Sequence, residues 1–181
     1  MTNLNTDIQV GTPENAEAIS ALAIQVFLDT YATEGVRPDL AAEAFSEYSK
    51  EQFLLRLEEP SRTFLIAKQN DGIIGFAELR IRSLIPPALE VEGAELVRLY
   101  IQPKFQRLGI GQELLIEVEQ VVLAHKGNLL WFTVWEKNER AICFYGANGY
   151  NEIGTTKYEF QGNIYGNKVL SKVLHTADSA A

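Results

Sequence analysis

The segment Leu96-Val97-Arg98-Leu99-Tyr100-Ile101-Gln102-Pro103-Lys104-Phe105-Gln106-Arg107-Leu108-Gly109-Ile110-Gly111 carries the clearest chemistry in the chain. It reads as a strand, a tight loop and the first turn of a helix. Gly109 and Gly111 remove side chains where several backbone N–H groups converge at the helix start. Those orphan donors, with the positive end of the helix dipole, make a site for a phosphate or pyrophosphate. Lys104 and Arg107 add positive charge beside it. A glycine-rich strand-to-helix turn also occurs without a ligand, and G-x-G alone does not choose between the two. No G-x-x-x-x-G-K-[ST] is present, nor a G-x-G-x-x-G followed by a ribose-binding acid, so ATP hydrolysis and dinucleotide binding lose weight. Cys143, between Ile142 and Phe144, reads as small buried packing rather than as a nucleophile. His125 at a helix end and His175 in the tail are unconvincing bases, and no Cys/His cluster has zinc-ligand spacing, so no metal is expected.

Several elements must position this loop. Asp7 to Val10 reads as a short strand, followed by Thr12 as N-cap and Pro13 at the first helical position. Ile19, Leu22, Ala23, Val26 and Phe27 follow helical spacing to about Tyr31. A looser acidic region comes next, then a helical signal at Gln52, Phe53, Leu54 and Leu57, stopped by Pro60. Strands are expected at Thr63–Ala67 and Ile73–Arg82 around the Asn70-Asp71-Gly72 turn. Ser83 to Gly93 reads as a loop, and Glu95 to Ile101 as a strand. Leu114, Leu115, Val118, Val121 and Val122 mark a helix closed by Lys126-Gly127. Leu129 to Trp135 reads as a central strand, Asn138 to Asn148 as a helix, and Tyr150–Phe160 and Ile164–Val173 as the last two strands. The order is that of a mixed α/β domain, 1–175, with 176–181 expected to be a disordered tail.

The chain has 181 residues, 46% of them apolar and 22% charged, which suits one folded domain with a sizeable core. A single cysteine excludes an intrachain disulfide framework. No basic-then-apolar leader is visible, and no stretch approaches the ~20 apolar residues of a membrane span. The expectation is a cytoplasmic protein. The net charge of −8 sits wholly in residues 1–60, which hold 11 acids and 3 bases. Nucleic acid is therefore an unfavoured partner, whereas a cationic small molecule is compatible; a solvated acidic surface is the plainer explanation.

Gln106-Arg107-Leu108-Gly109-Ile110-Gly111 resembles the Q/R-x-x-G-x-G/A signature of Gcn5-related N-acetyltransferases. A second block agrees: Val134-Trp135-Glu136-Lys137-Asn138-Glu139-Arg140-Ala141-Ile142-Cys143-Phe144-Tyr145-Gly146-Ala147-Asn148-Gly149-Tyr150 is similar to the family's V-x-x-x-N-x-x-A-x-x-F-Y-x-x-x-G-F/Y stretch. The clear resemblance covers residues 63–160. It implies an α/β (α+β) fold with a mixed, mostly antiparallel sheet of about seven strands, splayed at its centre, and about four helices. It also implies attack of an amine on the thioester of acetyl-CoA. An alkyl amine has a pKa near ~10, so a proton must be removed, an oxyanion stabilised and the leaving thiolate protonated.

Carried onto this chain, the resemblance puts the Leu99 N–H against the thioester carbonyl, with Tyr100 on the same cofactor-binding strand and Ile101 pairing with the pantetheine arm. Gln106 opens the cofactor-binding loop, and the amides of Arg107, Leu108, Gly109, Ile110, Gly111 and Gln112 fall at the pyrophosphate. Asn138 matches the cofactor-contacting asparagine and Tyr145 the general acid; the two are seven apart, two helical turns, and face the same side. Tyr145 as a core aromatic is the alternative. Glu95, eleven residues before Gln106, matches the family's general base; a strand-start surface acid is the alternative, and Glu78 is a weaker candidate. Phe27, Tyr31 and Glu34 fall on the acceptor side, or else in helix packing and a solvated loop.

A narrower resemblance is to bacterial polyamine N-acetyltransferases, through Phe27-Leu28-Asp29-Thr30-Tyr31 and Val134-Trp135-Glu136-Lys137-Asn138. Those relatives commonly carry an acid on the last strand where this chain has Gly166-Asn167. Other acceptors left open are an amino acid, a peptide N-terminus or an antibiotic amine. A non-catalytic acyl-CoA-binding module is a further reading. The family often dimerises through C-terminal strands, which leaves monomer and homodimer both open; Trp131 and Trp135 could be core or interface.

Overall fold

A computed structural model describes residues 6–86, 90–160 and 163–175. The tail from 176, residues 87–89 of the expected loop and the first two residues of the Gln161-Gly162-Asn163 turn lie outside the described residues. Among those described are seven strands and five α-helices: β1 Asp7–Val10, α1 Ala16–Tyr31, α2 Pro38–Glu47, α3 Lys50–Leu57, β2 Arg62–Gln69, β3 Gly72–Leu84, β4 Glu92–Ile101, α4 Ile110–Ala124, β5 Leu129–Trp135, α5 Glu139–Ala147, β6 Asn151–Phe160 and β7 Asn163–Val173. The sheet order is β1-β2-β3-β4-β5-β7-β6. β1–β2, β5–β7 and β6–β7 are antiparallel, and β4–β5 is parallel.

The described residues fall into two compact units, drawn from Met1–Leu79 with Arg98–Glu117 and from Arg80–Val97 with Val118–Ala181. In the first unit Phe53, Phe64 and Phe76 pack with ring centroids about 6 Å apart and bury almost completely. Edge-to-face contacts among them suit the ring quadrupole. α1 adds Ile19, Leu22, Ala23, Val26 and Phe27 on its helical spacing. In the second unit β5 is buried on both faces, as its continuous apolar run implies. Phe132 packs on Tyr145 and Tyr150 of one side, and Trp131 on Ile85 and Val169 of the other. Trp131 is thus a core residue; Trp135 is half-buried against Tyr165.

Two elements differ from the sequence expectation. The acidic region after Tyr31 contains α2, with Pro38 in its first turn. Only Leu40 and Ala44 are buried there. The loop expected over Ser83–Gly93 is shorter, because β3 runs to Leu84 and β4 begins at Glu92. The Ile85 N–H donates to the Val91 carbonyl (2.9 Å) and carries the pairing past both strand ends. The first helix also starts as a 3-10 turn, Pro13–Asn15, where the Thr12 N–H donates to Asn15 Oδ1 (2.9 Å).

Candidate active site

In the first unit, β4 ends at Ile101 and the chain passes through the 3-10 turn Pro103–Phe105 into α4. Gln106 Nε2 donates to the Ile101 carbonyl (3.1 Å), tying the loop to the strand that feeds it. Arg107 (φ +64°) and Gly109 (φ +89°) both adopt the left-handed conformation. The glycine does so without strain, while Arg107 carries a Cβ there at some cost. Alternation of left- and right-handed residues turns successive N–H groups toward one concavity, the geometry of an anion nest. Among the described residues, the N–H groups of Arg107, Leu108, Gly109, Ile110 and Gly111 enter no backbone hydrogen bond. The Gln112 N–H does: it donates to the Gly109 carbonyl (2.9 Å), and so does that of Glu113 (3.1 Å). Five open amides therefore remain of the run expected from Arg107 to Gln112. The Arg107 and Lys104 side chains join no ion pair among the described residues, and Lys104 Nζ lies over the Phe105 ring (4.9 Å).

The same unit holds the expected acceptor-side residues. Phe27 is buried, with its ring 5.0 Å from Tyr31 and 4.8 Å from Tyr48. Tyr31 is half-buried at the end of α1, and Glu34 is exposed in the following loop. Phe27 and Tyr31 are thus brought together, and Glu34 is not part of their cluster. Sequence reasoning missed what adjoins them. Tyr48, at the end of α2, stacks on Tyr100 (6.5 Å) with the two hydroxyl oxygens 3.5 Å apart. Burial pushes the Tyr48 phenol well above its ordinary range. Glu78 is completely buried, its carboxylate bound by Arg62 on one oxygen and Arg98 on the other. Arg98 also reaches Glu47 (2.9 Å), which accepts from Arg56 as well. Both Glu78 oxygens are thus engaged by buried guanidinium groups, a structural arrangement that Glu95 does not share. A charged residue in the middle of an apolar strand, as in Phe76-Ala77-Glu78-Leu79 and Val97-Arg98-Leu99, was the available signal for this network.

In the second unit, the parallel β4–β5 ladder has two pairs, Ala94↔Leu130 and Glu95↔Trp131. Glu95 stands at the last of them. Its Oε2 accepts from Arg80 Nη1 (2.8 Å), and about a fifth of its side chain is exposed. Asn138 has non-helical backbone angles and is the N-cap of α5, its Oδ1 accepting from the Ala141 N–H (3.1 Å). Asn138 and Tyr145 therefore do not share a helix side as expected, since only Tyr145 is helical. The Asn138 Nδ2 remains a donor in that arrangement. Tyr145 is buried against Phe132 (4.1 Å) and near Phe144 and Tyr150. The end of α5 explains the spacing: Gly149 turns left-handed (φ +84°), its N–H donates to Gly146, and the Tyr150 N–H returns to the Tyr145 carbonyl (3.1 Å). This Schellman closure seats Tyr150 on Tyr145, so the tyrosine is held by the helix terminus itself.

Cys143, expected to be buried, is exposed on α5 because the helix turns Tyr145 rather than Cys143 onto the sheet. His125 lies exposed with Nδ1 on the Val121 carbonyl, and His175 is exposed. On β7, the Gly166 carbonyl accepts from the Glu136 N–H (3.0 Å), and the Glu136 carboxylate fills the volume that a side chain at 166 would take. No group of metal-ligating side chains is present among the described residues.

Residues 28–150 match the family model described as acetyltransferase (GNAT) family. The chain is 29% identical to the spermidine N(1)-acetyltransferase of Thermoplasma acidophilum over 164 residues, 87% of this chain and 95% of that protein. It is 25% identical over 142 residues, 78% of this chain and 82% of the other, to an uncharacterized N-acetyltransferase encoded in the pepI 3′ region of Lactobacillus delbrueckii subsp. lactis. The fold is shared with the PaiA N-acetyltransferase of Thermoplasma acidophilum, solved in complex with coenzyme A, at a TM-score of 0.73, 24% identity, 93% coverage of this chain and 99% of that one. It is shared likewise with the ribosomal-protein-alanine N-acetyltransferase of Brucella melitensis, at a TM-score of 0.69, 21% identity and coverages of 93% and 99%. A family match across two thirds of the sequence, on a fold those enzymes share, makes this chain a member of the GNAT acetyltransferase family, acyltransferases that take their acetyl group from acetyl-CoA.

Proposed function

We propose that the protein moves the acetyl group of acetyl-CoA to a primary amine by direct attack, with Glu95 as general base and Tyr145 as general acid. The observation that carries this reading is the row of five open amides from Arg107 to Gly111 at the start of α4, which fits a pyrophosphate. Acetyl-CoA supplies an acyl group already activated as a thioester. The chain's own residues do the rest. Arg107, Leu108, Gly109, Ile110 and Gly111 hold the anion, Gln106 ties their loop to Ile101, Asn138 offers its free Nδ2, and Tyr100 and Ile101 line the strand that leads there. The Leu99 N–H is the donor for charge developing on the carbonyl oxygen. Glu95 keeps Oε1 available for the amine's proton, because Arg80 engages only Oε2. Tyr145 returns a proton to the leaving sulfur, and the packing of Phe132 and Tyr150 keeps its ring in one place.

The acceptor is a cationic amine of the polyamine class. The Thermoplasma spermidine acetyltransferase is a relative along nearly the whole chain. The acidic first third suits a polycation; the chain departs from polyamine relatives at Gly166-Asn167, where they commonly carry an acid, and the Glu136 carboxylate lies beside Gly166. Phe27, Tyr31 and Glu34 form the acceptor side. Residues 1–175 act as a single domain in this reading, in the cytoplasm, as monomer or homodimer.

The test is amine-dependent release of coenzyme A, followed with spermidine, spermine, amino acids, aminoglycosides and short peptides. Saturable turnover with polyamines alone is expected. Turnover with another amine would keep the mechanism and discard the polyamine class. Tyr145→Phe should keep acetyl-CoA binding and lower kcat by about a hundredfold, the scale of a lost general acid. An unchanged rate would remove Tyr145 from the mechanism.

A further inference from the structure

Leu99 is gripped from outside its own strand. The residues on either side of it, Arg98 and Tyr100, are both held by two consecutive residues at the end of α2, Glu47 and Tyr48. Glu47 Oε1 accepts from Arg98 Nη2 (2.9 Å), and the guanidinium lies over the Tyr48 ring (5.1 Å from the centroid). The Tyr48 ring stacks on that of Tyr100, with the hydroxyl oxygens 3.5 Å apart. Both grips have rigid backing. Glu78, buried beneath Arg98, binds its other amino group, and the Tyr48 carbonyl accepts from Ser20 Oγ of α1 (2.6 Å). Arg56 of α3 joins Glu47 on the same oxygen.

We infer that Glu47 and Tyr48 are positioning residues for the reaction: they fix the peptide of Leu99 so that its N–H stays aimed at the carbonyl it must polarise. The inference rests on the assignment of that N–H made above. A backbone donor has no rotamer of its own, so its aim depends wholly on the strand that carries it. Preorganised donors outperform water because they need not reorganise as charge develops. Arg98 and Tyr100 lie on one face of β4, the alternate positions around Leu99. Holding both therefore suppresses rotation of the peptides between them. The arrangement also ties the reacting strand to α2, which follows the expected acceptor-side residues Phe27, Tyr31 and Glu34 in the chain.

The experiment compares Glu47→Ala, Glu47→Gln, Tyr48→Phe and a control, Lys50→Ala, which breaks the exposed Lys50–Glu17 pair of the same helical region. Glu47 is half-exposed, and Arg98 keeps Glu78 when Glu47 is cut back, so the variants should fold. Two quantities are read: steady-state kinetics, and the infrared carbonyl stretch of 13C-labelled acetyl-CoA bound without amine. Wild type should lower that stretch on binding. Glu47→Ala should lose most of the lowering and about tenfold in kcat, with KM for acetyl-CoA held within about twofold, the pattern of a misplaced donor rather than lost binding. Glu47→Gln, whose amide oxygen still accepts from Arg98, should recover most of both. Tyr48→Phe keeps the ring under Arg98 and should show a smaller loss, and Lys50→Ala none.

An unchanged kcat in Glu47→Ala would overturn the inference. So would a fall in kcat with the carbonyl band still shifted, because that is what general loosening would do. If wild type itself shows no carbonyl shift while turning over an amine, the Leu99 assignment fails and the clamp fails with it. A wild type that shifts the band and loses the shift in Glu47→Ala, yet acetylates no amine tested, would support the clamp and count against the acceptor class alone.

Discussion

Two glutamates on neighbouring strands, Glu78 of β3 and Glu95 of β4, each face arginine, and they end in opposite conditions. Glu78 is fully buried and gives one oxygen to Arg62 and the other to Arg98. Glu95 is partly exposed and gives one oxygen to a single partner, Arg80, itself one-third exposed. The difference is one of lone pairs and solvent. A carboxylate whose two oxygens are both claimed by buried guanidinium groups is a structural bolt, since losing it would take from each cation its buried partner and leave Arg62 only Glu59 and Arg98 only Glu47, both part-exposed. A carboxylate held by one partner at the margin of solvent keeps an oxygen that can take a proton and pass it on. Sequence position does not distinguish their surroundings; the count of partners does.

The contrast is broken most severely at Glu78. Glu78→Ala should destabilise the protein by roughly 3–5 kcal/mol, the cost of removing one member of a buried ionic network, because Arg98 and Arg62 lose their shared counter-ion. At about 2–4 °C per kcal/mol for a chain of this size, the midpoint of thermal unfolding should fall by roughly 10 °C. A fall of only a degree or two would show that Glu78 is not a bolt. Glu95→Gln is the matching test of the other side. The amide still accepts from Arg80, so stability should move by less than about 1 kcal/mol, as for an exposed pair. Turnover should nevertheless drop by about a hundredfold or more, the range of a lost general base. Retained turnover would reduce Glu95 to a strand-start acid and leave solvent as the proton acceptor.

Much of this was legible before any coordinates. The strands around Asn70-Asp71-Gly72, the helix through Leu114 and Val122 and the loop at Gly109 all have local signals: turn residues, 3.6-residue periodicity, or a glycine where a side chain would interfere. Tyr145 stands in a motif whose Gly149 closes the helix in a Schellman turn, a local signal for where the helix ends. What was not legible has no local signature. α2 buries only Leu40 and Ala44. Cys143 was misplaced because neighbouring apolar residues say nothing about which side of a short helix meets the sheet. The network of Glu47, Arg56, Arg62, Glu78 and Arg98 joins residues as far as 51 apart in sequence; Glu78 and Arg98 stand in apolar strands, a hint of burial that does not say which residues pair. The partners of a charged residue are a property of the fold, not of its neighbours in sequence.

The smallest expected effect falls on Arg80, and it sharpens the comparison because Arg80 and Arg98 do the same formal job for different carboxylates. Arg98 is almost entirely buried and bridges two glutamates while lying over two aromatic rings, of Tyr48 and Phe53. Arg80 meets Glu95 through one 2.8 Å contact with both side chains open to water. Solvent screens that pair, and the entropy of holding two long side chains offsets most of what remains, so Arg80→Gln should cost no more than about 1 kcal/mol. The thermal midpoint should then move by no more than about 4 °C. Differential scanning calorimetry of Arg80→Gln beside Arg98→Lys gives the comparison directly: the larger loss belongs to Arg98→Lys, because a lysine keeps the charge but cannot bridge Glu78 and Glu47 at once or lie flat on the Tyr48 ring. Equal losses would mean that the Arg80–Glu95 pair is a second bolt. Glu95 would then be too tightly engaged to serve as a base, and the proton would have to leave the amine by another route.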